Sequence, residues 1–261
     1  MPRALVLNSG FFTAAGAGTG VATPMVGDTF NVPSFLSGNG YLEQVWAEGA
    51  STDFVQIHSP KMHDNNIGIR MLTPGNTIDP LLPFGMDQLL YPADTPTVQI
   101  DETAAATGAI AALYSFDDLP GASPRLAAWA EVQPRIVNVA GVPVALGAVG
   151  AIGAYSAGVA INVTADNFDA GSDYALLGYH TSASVLALAV AGQDTGNLKV
   201  GGPGVADPKV TADWFIRLSE KSGRPCIPII AANNKGGTLV FQTDNSAHAA
   251  QTVTLVFGQL G

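Results

Sequence analysis

Pro74-Gly75-Asn76-Thr77-Ile78-Asp79-Pro80 in the first half of the chain is answered by Pro203-Gly204-Val205-Ala206-Asp207-Pro208 in the second. Taken as one turn that occurs twice, this pair decides the fold class, and the match spreads outward from it. Asn31-Val32, followed by Phe35, Gly38 and Tyr41, corresponds to Asn162-Val163, followed by Phe168, Gly171 and Tyr174. Asp64 corresponds to Asp194. Thr95-Pro96-Thr97-Val98-Gln99-Ile100 corresponds to Arg224-Pro225-Cys226-Ile227-Pro228-Ile229. The halves end on Ala109-Ile110-Ala111-Ala112-Leu113-Tyr114 and Thr252-Val253-Thr254-Leu255-Val256-Phe257. Pro-Gly and Asp-Pro are common turn dipeptides, so the weight lies in their shared order. The offset stays between 128 and 133 until the last strand, where it reaches 143. A hairpin insertion around Asn233-Asn234-Lys235-Gly236-Gly237 would account for that jump. The chain therefore divides into residues 1–130 and an internal duplicate, residues 131–261, each long enough to bury a core.

Within each unit the local patterns read as strands. Thr238-Leu239-Val240-Phe241-Gln242 and the run Gln251 to Phe257 are β-branched and aromatic with partial alternation. Val185 to Val190 is a short apolar run between Ser and Gly, as expected of a buried strand. Asn234-Lys235-Gly236-Gly237 carries a hairpin signal. One helix is expected over Thr211 to Lys221, which follows Asp-Pro, has helical apolar spacing and stops at Gly223-Arg224-Pro225. Asp87-Gln88-Leu89-Leu90, cut short by Pro92, holds the matching place in the first half. The expectation is an all-β chain of two tandem sandwiches, each with a short helix between late strands.

Composition narrows the function classes. Charged residues make up 12% of the 261 residues, net charge is −10, and the eleven Lys and Arg form no basic run. Counterion release needs clustered cations, so no direct contact with nucleic acid is expected. Cys226 is the only cysteine, which excludes an intramolecular disulfide and a Cys-based zinc site. Its apolar neighbours read it as a small buried hydrophobe. The apolar run after Met1-Pro2-Arg3 is too short for a signal-peptide core, so folding in a cytosol is expected. Ile136 to Ala165 carries no charge but contains Pro143 and five glycines. No membrane span is expected there, and a membrane contact of the protein is left open.

The motifs point away from catalysis. Gly16-Ala17-Gly18-Thr19-Gly20 lacks dinucleotide-loop spacing, and Val21-Ala22-Thr23-Pro24 opens no helix. Ala154-Tyr155-Ser156-Ala157-Gly158 lacks the first glycine of a nucleophile elbow. His58, His63, His180 and His248 show no metal-ligand spacing. No enzyme and no cofactor are expected. Asp166-Asn167-Phe168-Asp169-Ala170-Gly171-Ser172-Asp173 is the one candidate ion loop, with Asp166, Asp169 and Asp173 as oxygen donors for a structural Ca²⁺. The competing reading is a solvated Asx turn. Asn162-Val163-Thr164 is a glycosylation sequon, expected to be idle.

Two tandem sandwiches built on the paired landmarks Pro74-Gly75 and Pro203-Gly204, Asp79-Pro80 and Asp207-Pro208, Pro96 and Pro225, resemble the double jelly-roll capsid lineage of icosahedral viruses. The resemblance is one of organisation and covers nearly the whole chain. It implies two jelly-roll-like units, a trimer giving a pseudo-hexagonal tile, other capsid proteins as partners, and a place in the virion, with a bacteriophage as the expected source. The chain is short for that lineage, the first-half helix is weak, and the likeness between the halves is unusually close. Alternatives are a capsid-decorating or tail-associated protein and, in another class, a non-viral carbohydrate-binding or surface-layer module. Sugar binding would call for exposed aromatics, whereas Trp214 falls on the core-facing stripe of its predicted helix.

Overall fold

The computed structural model describes residues 3–62, 64–73, 78–80, 88–161 and 168–261. Pro74-Gly75, Asp87, His63, Asn162-Val163-Thr164 and Asp166 lie outside the described residues.

Among the described residues, 4–116 carry ten strands. These are β1 (Ala4–Thr13), β2 (Gly18–Val21), β3 (Thr23–Pro24), β4 (Gly40–Glu48), β5 (Thr52–Ser59), β6 (Asp64–Leu72), β7 (Asp79–Pro80), β8 (Gln88–Leu90), β9 (Thr97–Glu102) and β10 (Thr107–Phe116). One sheet runs β3-β1-β10-β4-β7, with β8 also on β4; the other runs β2-β9-β5-β6. Residues 126–260 carry β11 (Leu126–Ala127), β12 (Ile136–Leu146), β13 (Val159–Ala160), β14 (Asp173–Thr181), β15 (Val185–Ala191), β16 (Val200–Gly204), β17 (Ile227–Ala231), β18 (Leu239–Thr243) and β19 (Gln251–Leu260). Their sheets run β11-β17-β14-β19-β12 and β13-β18-β15-β16. Every pairing is antiparallel and stays within 4–116 or within 126–260. The chain is thus mostly β, two jelly-roll-like sandwiches with few short helices.

The two halves share one strand order. β1-β10-β4-β8 matches β12-β19-β14-β17, and β2-β9-β5-β6 matches β13-β18-β15-β16. Each β10-type strand is central and flanked by the same two neighbours. Strand-level equivalence does not extend to every landmark. Pro96 precedes β9, whereas Pro225 precedes β17, which lies in the other type of sheet. Asp79-Pro80 is a strand paired to Trp46 and Ala47. Asp207-Pro208 instead opens a helix, with the Asp207 carboxylate accepting from the Lys209 N–H at 2.9 Å.

The expected helix over Thr211 to Lys221 is two pieces, α2 (Pro208–Thr211) and α3 (Trp214–Ser222), the latter ending at Gly223 in the left-handed conformation. A four-residue α1 (Trp129–Val132) packs nearby. In the first half Gln88–Leu90 is a strand on Gly40–Leu42 rather than a helix. A three-residue run gains more from pairing beside β4 and burying Leu90 than from one helical turn. Asn234-Lys235-Gly236-Gly237 is not a hairpin. It belongs to a 3₁₀ segment carrying the chain from β17 in one sheet to β18 in the other. Part of the late increase in offset arises earlier, where residues 205–226 hold α2 and α3 between β16 and β17.

The four sheets stack. Leu5, Leu7, Trp46, Ala109, Ala111 and Leu113 lie on the outer face of β1-β10-β4 and are fully buried against the second half. The alternate residues Ala4, Val45, Ala47, Ile110, Ala112 and Tyr114 fill the first sandwich. With both faces covered, β10 reads as an unbroken apolar run instead of an alternating one. Cα atoms of β10 and β15 approach within 8 Å, closer than the roughly 10 Å usual between packed sheets. Ala109 and Ala111 on one strand and Ala187 and Ala189 on the other leave room for that approach.

Candidate functional site

Of the donors in the candidate ion loop, Asp169 and Asp173 lie among the described residues, and each is engaged by a protein partner. Asp173 is bound by Arg125 through both guanidinium nitrogens, at 3.0 and 2.5 Å. Asp169 accepts from the Gln259 amide at 2.7 Å, and its own backbone N–H donates to the Tyr174 hydroxyl at 2.7 Å. No group of three potential metal ligands occurs among the described residues. Ser156 is buried, and its hydroxyl accepts from the Gln242 backbone N–H at 3.1 Å. Cys226 is fully buried, and burial pushes its thiol up to about 12. Trp46 and Trp214 are fully buried, so neither offers an aromatic platform to a sugar. No helix among the described residues is long and apolar enough to cross a membrane, and Ile136–Leu146 is strand.

What the fold does build is a polar seam through the contact between the halves. A one-residue bulge in β4, between the pairs Tyr114–Leu42 and Leu113–Gln44, re-aims Glu43 out of its ladder. Its fully buried carboxylate accepts from the Ser115 hydroxyl and, at 2.9 Å, from Arg224 of the second half. The Arg224 guanidinium lies 3.7 Å from the Tyr41 ring centroid. At a second point Asp28 pairs with Lys199 and accepts from the Ser9 N–H and the Tyr155 hydroxyl, both at 2.8 Å. Burial outweighs these partners and holds the Asp28 carboxyl above its usual range. At a third point Glu48 meets Asp244. Burial, then the neighbouring Asp244 carboxylate, pushes Glu48 up to about 9. Asp244 is also 3.3 Å from His248 Nδ1 and accepts from the Leu186 N–H at 3.2 Å. The cross-seam pairs Glu43–Arg224, Asp28–Lys199 and Glu48–Asp244 have no local sequence signal, because their partners lie far apart in the chain.

One sheet edge is left uncovered on its outward side. On β12 the residues Val142, Val144 and Leu146 point into the core, while Val139, Gly141, Pro143 and Ala145 point out and are exposed. They pair in register with Gly258, Val256, Thr254 and Thr252 of β19. This outward surface carries no charged residue, and Val137 and Val139 at its end are 67% and 56% exposed.

No family model and no curated protein matches the sequence. Among solved structures, the major capsid protein P2 from Bacteriophage PM2 is similar at 12% identity and a TM-score of 0.23, over 99% of this chain and 98% of that one. The STIV MCP is similar at 8% identity and a TM-score of 0.22, over 99% and 96%. BuGH86, solved in complex with neoagarooctaose, is similar at 12% identity and a TM-score of 0.21, over 97% of this chain but 34% of that one. Similarity at this level bears on neither activity nor partners.

Proposed function

We propose that this chain is a virion structural protein: a coat subunit, without catalytic role, that self-assembles into an icosahedral shell. The observation that carries the reading is the stacking of two sandwiches of one strand order, with the outer face of β1 and β10 covered in the first half and the outward residues of their counterparts β12 and, in part, β19 left exposed in the second. An exposed, charge-free apolar sheet face is a liability on a monomer and ordinary where a neighbour covers it. Charged residues at 12% of the chain suit wide contacts between subunits. A trimer, with six similar units around an axis, closes such a contact without leaving an open end. The test is sedimentation of the purified protein at micromolar concentration, followed by electron microscopy of any assembled species. Closed oligomers and shell fragments are expected. A stable 26.7 kDa monomer at every concentration would remove the reading.

A further inference from the structure

We infer that the outward face of β12 and β19 binds a second copy of this chain head to tail, against the outward face of that copy's β5, β6 and β9 sheet. The inference rests on the self-assembly reading above and names the surfaces that reading leaves open.

The chain itself shows what covers a face of this kind. In the first half the outer side of β1 and β10 is buried on β15 and β16 of the second half. By strand order, β12 and β19 are the counterparts of β1 and β10, and β5 and β6 are the counterparts of β15 and β16. Repeating the internal contact between molecules would therefore set β12 and β19 of one copy on β5 and β6 of the next. Both of these surfaces keep exposed apolar side chains. On the second, Leu72 is 71% exposed and Val21 58% exposed. The pairs Leu72–Phe54 and Val21–Gln99 place both side chains on the side away from the first-half core, since Met71, Val55, Val98 and Ile100 fill that core. Arg70 lies over the Phe54 ring, 3.7 Å from its centroid, so this face presents large side chains. The β12 and β19 face presents small ones, Gly141, Ala145 and Thr254, so bulk on one side meets space on the other.

Charge and backbone chemistry favour this contact over two others. Every copy carries a net charge of −10, and a charge-free face lets one copy approach another with least local repulsion. Joining two free β12 edges into a continuous sheet is disfavoured by Pro143 in the middle of that edge strand, which has no N–H to offer a neighbour. The contact is therefore face to face.

The test uses Val139→Asp and Leu72→Asp, one on each surface, measured by sedimentation at micromolar concentration beside the wild type. Both side chains are more than half exposed, so the fold should be kept, as unchanged far-ultraviolet dichroism and Tm would verify. Each variant alone is expected to sediment as a 26.7 kDa monomer. Mixed in equal amounts they retain one intact surface of each kind and are expected to form a heterodimer and nothing larger. Assembly of Leu72→Asp alone, or failure of the mixture to pair, would overturn the head-to-tail contact while leaving a self-assembling wild type intact. A monomeric wild type would instead remove the coat reading itself. If either variant misfolds, Val137→Asp and Val21→Asp test the same two surfaces, with the same outcomes deciding.

Discussion

Trp46 and Trp214 meet edge to face across the seam between the halves, with ring centroids 5.9 Å apart and planes at 81°. Trp46 donates its indole N–H to the Leu186 carbonyl at 2.6 Å, and Trp214 donates to Gly201 at 3.2 Å. Each ring buries its apolar body and still satisfies its donor, so the pair joins the sandwiches without a polar penalty. Trp46→Ala would leave a cavity and an unpaired carbonyl at the seam. The expected cost is about 3–5 kcal/mol, read as a lower midpoint in urea. The wild type should unfold in one transition seen by both fluorescence and far-ultraviolet dichroism.

Arg224 and Glu43 form the second cross-seam tie. Removing the cation by Arg224→Ala would strand a fully buried carboxylate, with an expected loss of about 3–5 kcal/mol. Arg224→Lys should recover only part of it, because an ammonium lacks the planar group that stacks on Tyr41. Denaturation of the three proteins side by side measures both effects.

The carboxyl pair Glu48 and Asp244 makes the seam sensitive to pH. Glu48 is raised from 4.5 to about 9 in the fold, so the folded state holds a proton that the unfolded chain has released. Its contribution to stability is fully present below about 4.5 and is lost as pH rises towards about 9. Tm should fall across that window. Glu48→Gln keeps an acceptor for the Asn245 backbone and removes the titration, so its profile should be flatter and its Tm higher than the wild type's at the alkaline end.

Calcium is expected to leave stability unchanged. A cation at Asp169 and Asp173 must displace the bidentate Arg125 contact. A ligand at 100 times its Kd would add about 2.7 kcal/mol, a shift of several degrees in Tm. Millimolar Ca²⁺ should produce none, and a chelator should lower nothing. A clear rise in Tm would restore the loop as an ion site.

The buried strand at Val185 to Val190, the terminal strands and the stop of α3 at Gly223 were legible locally. Each rests on near-neighbour patterns: an apolar run, β-branched alternation, a glycine free to turn left-handed. The duplicate order was legible as collinear turns, yet individual landmarks misled. Pro96 and Pro225 precede non-equivalent strands of the jelly roll. Tyr41 and Tyr174 hold the same second place in β4 and β14, but Tyr41 faces Arg224 at the seam while Tyr174 stacks on Phe168 inside its own core.

By itself, then, the sequence determined a β-rich chain punctuated by Gly and Pro, a helix ahead of Pro225, a buried Cys226 and a surface poor in charge, since composition and short-range periodicity act on the chain before it folds. Tertiary structure alone decided which strands pair, which way each side chain points and which charges meet. The physical reason is the period of two along a strand, by which a bulge or a one-residue slip sends the same residue to the opposite face. Glu43 finds Arg224, and Trp46 finds Trp214, only after both sandwiches have closed and stacked, across separations that no local pattern can encode.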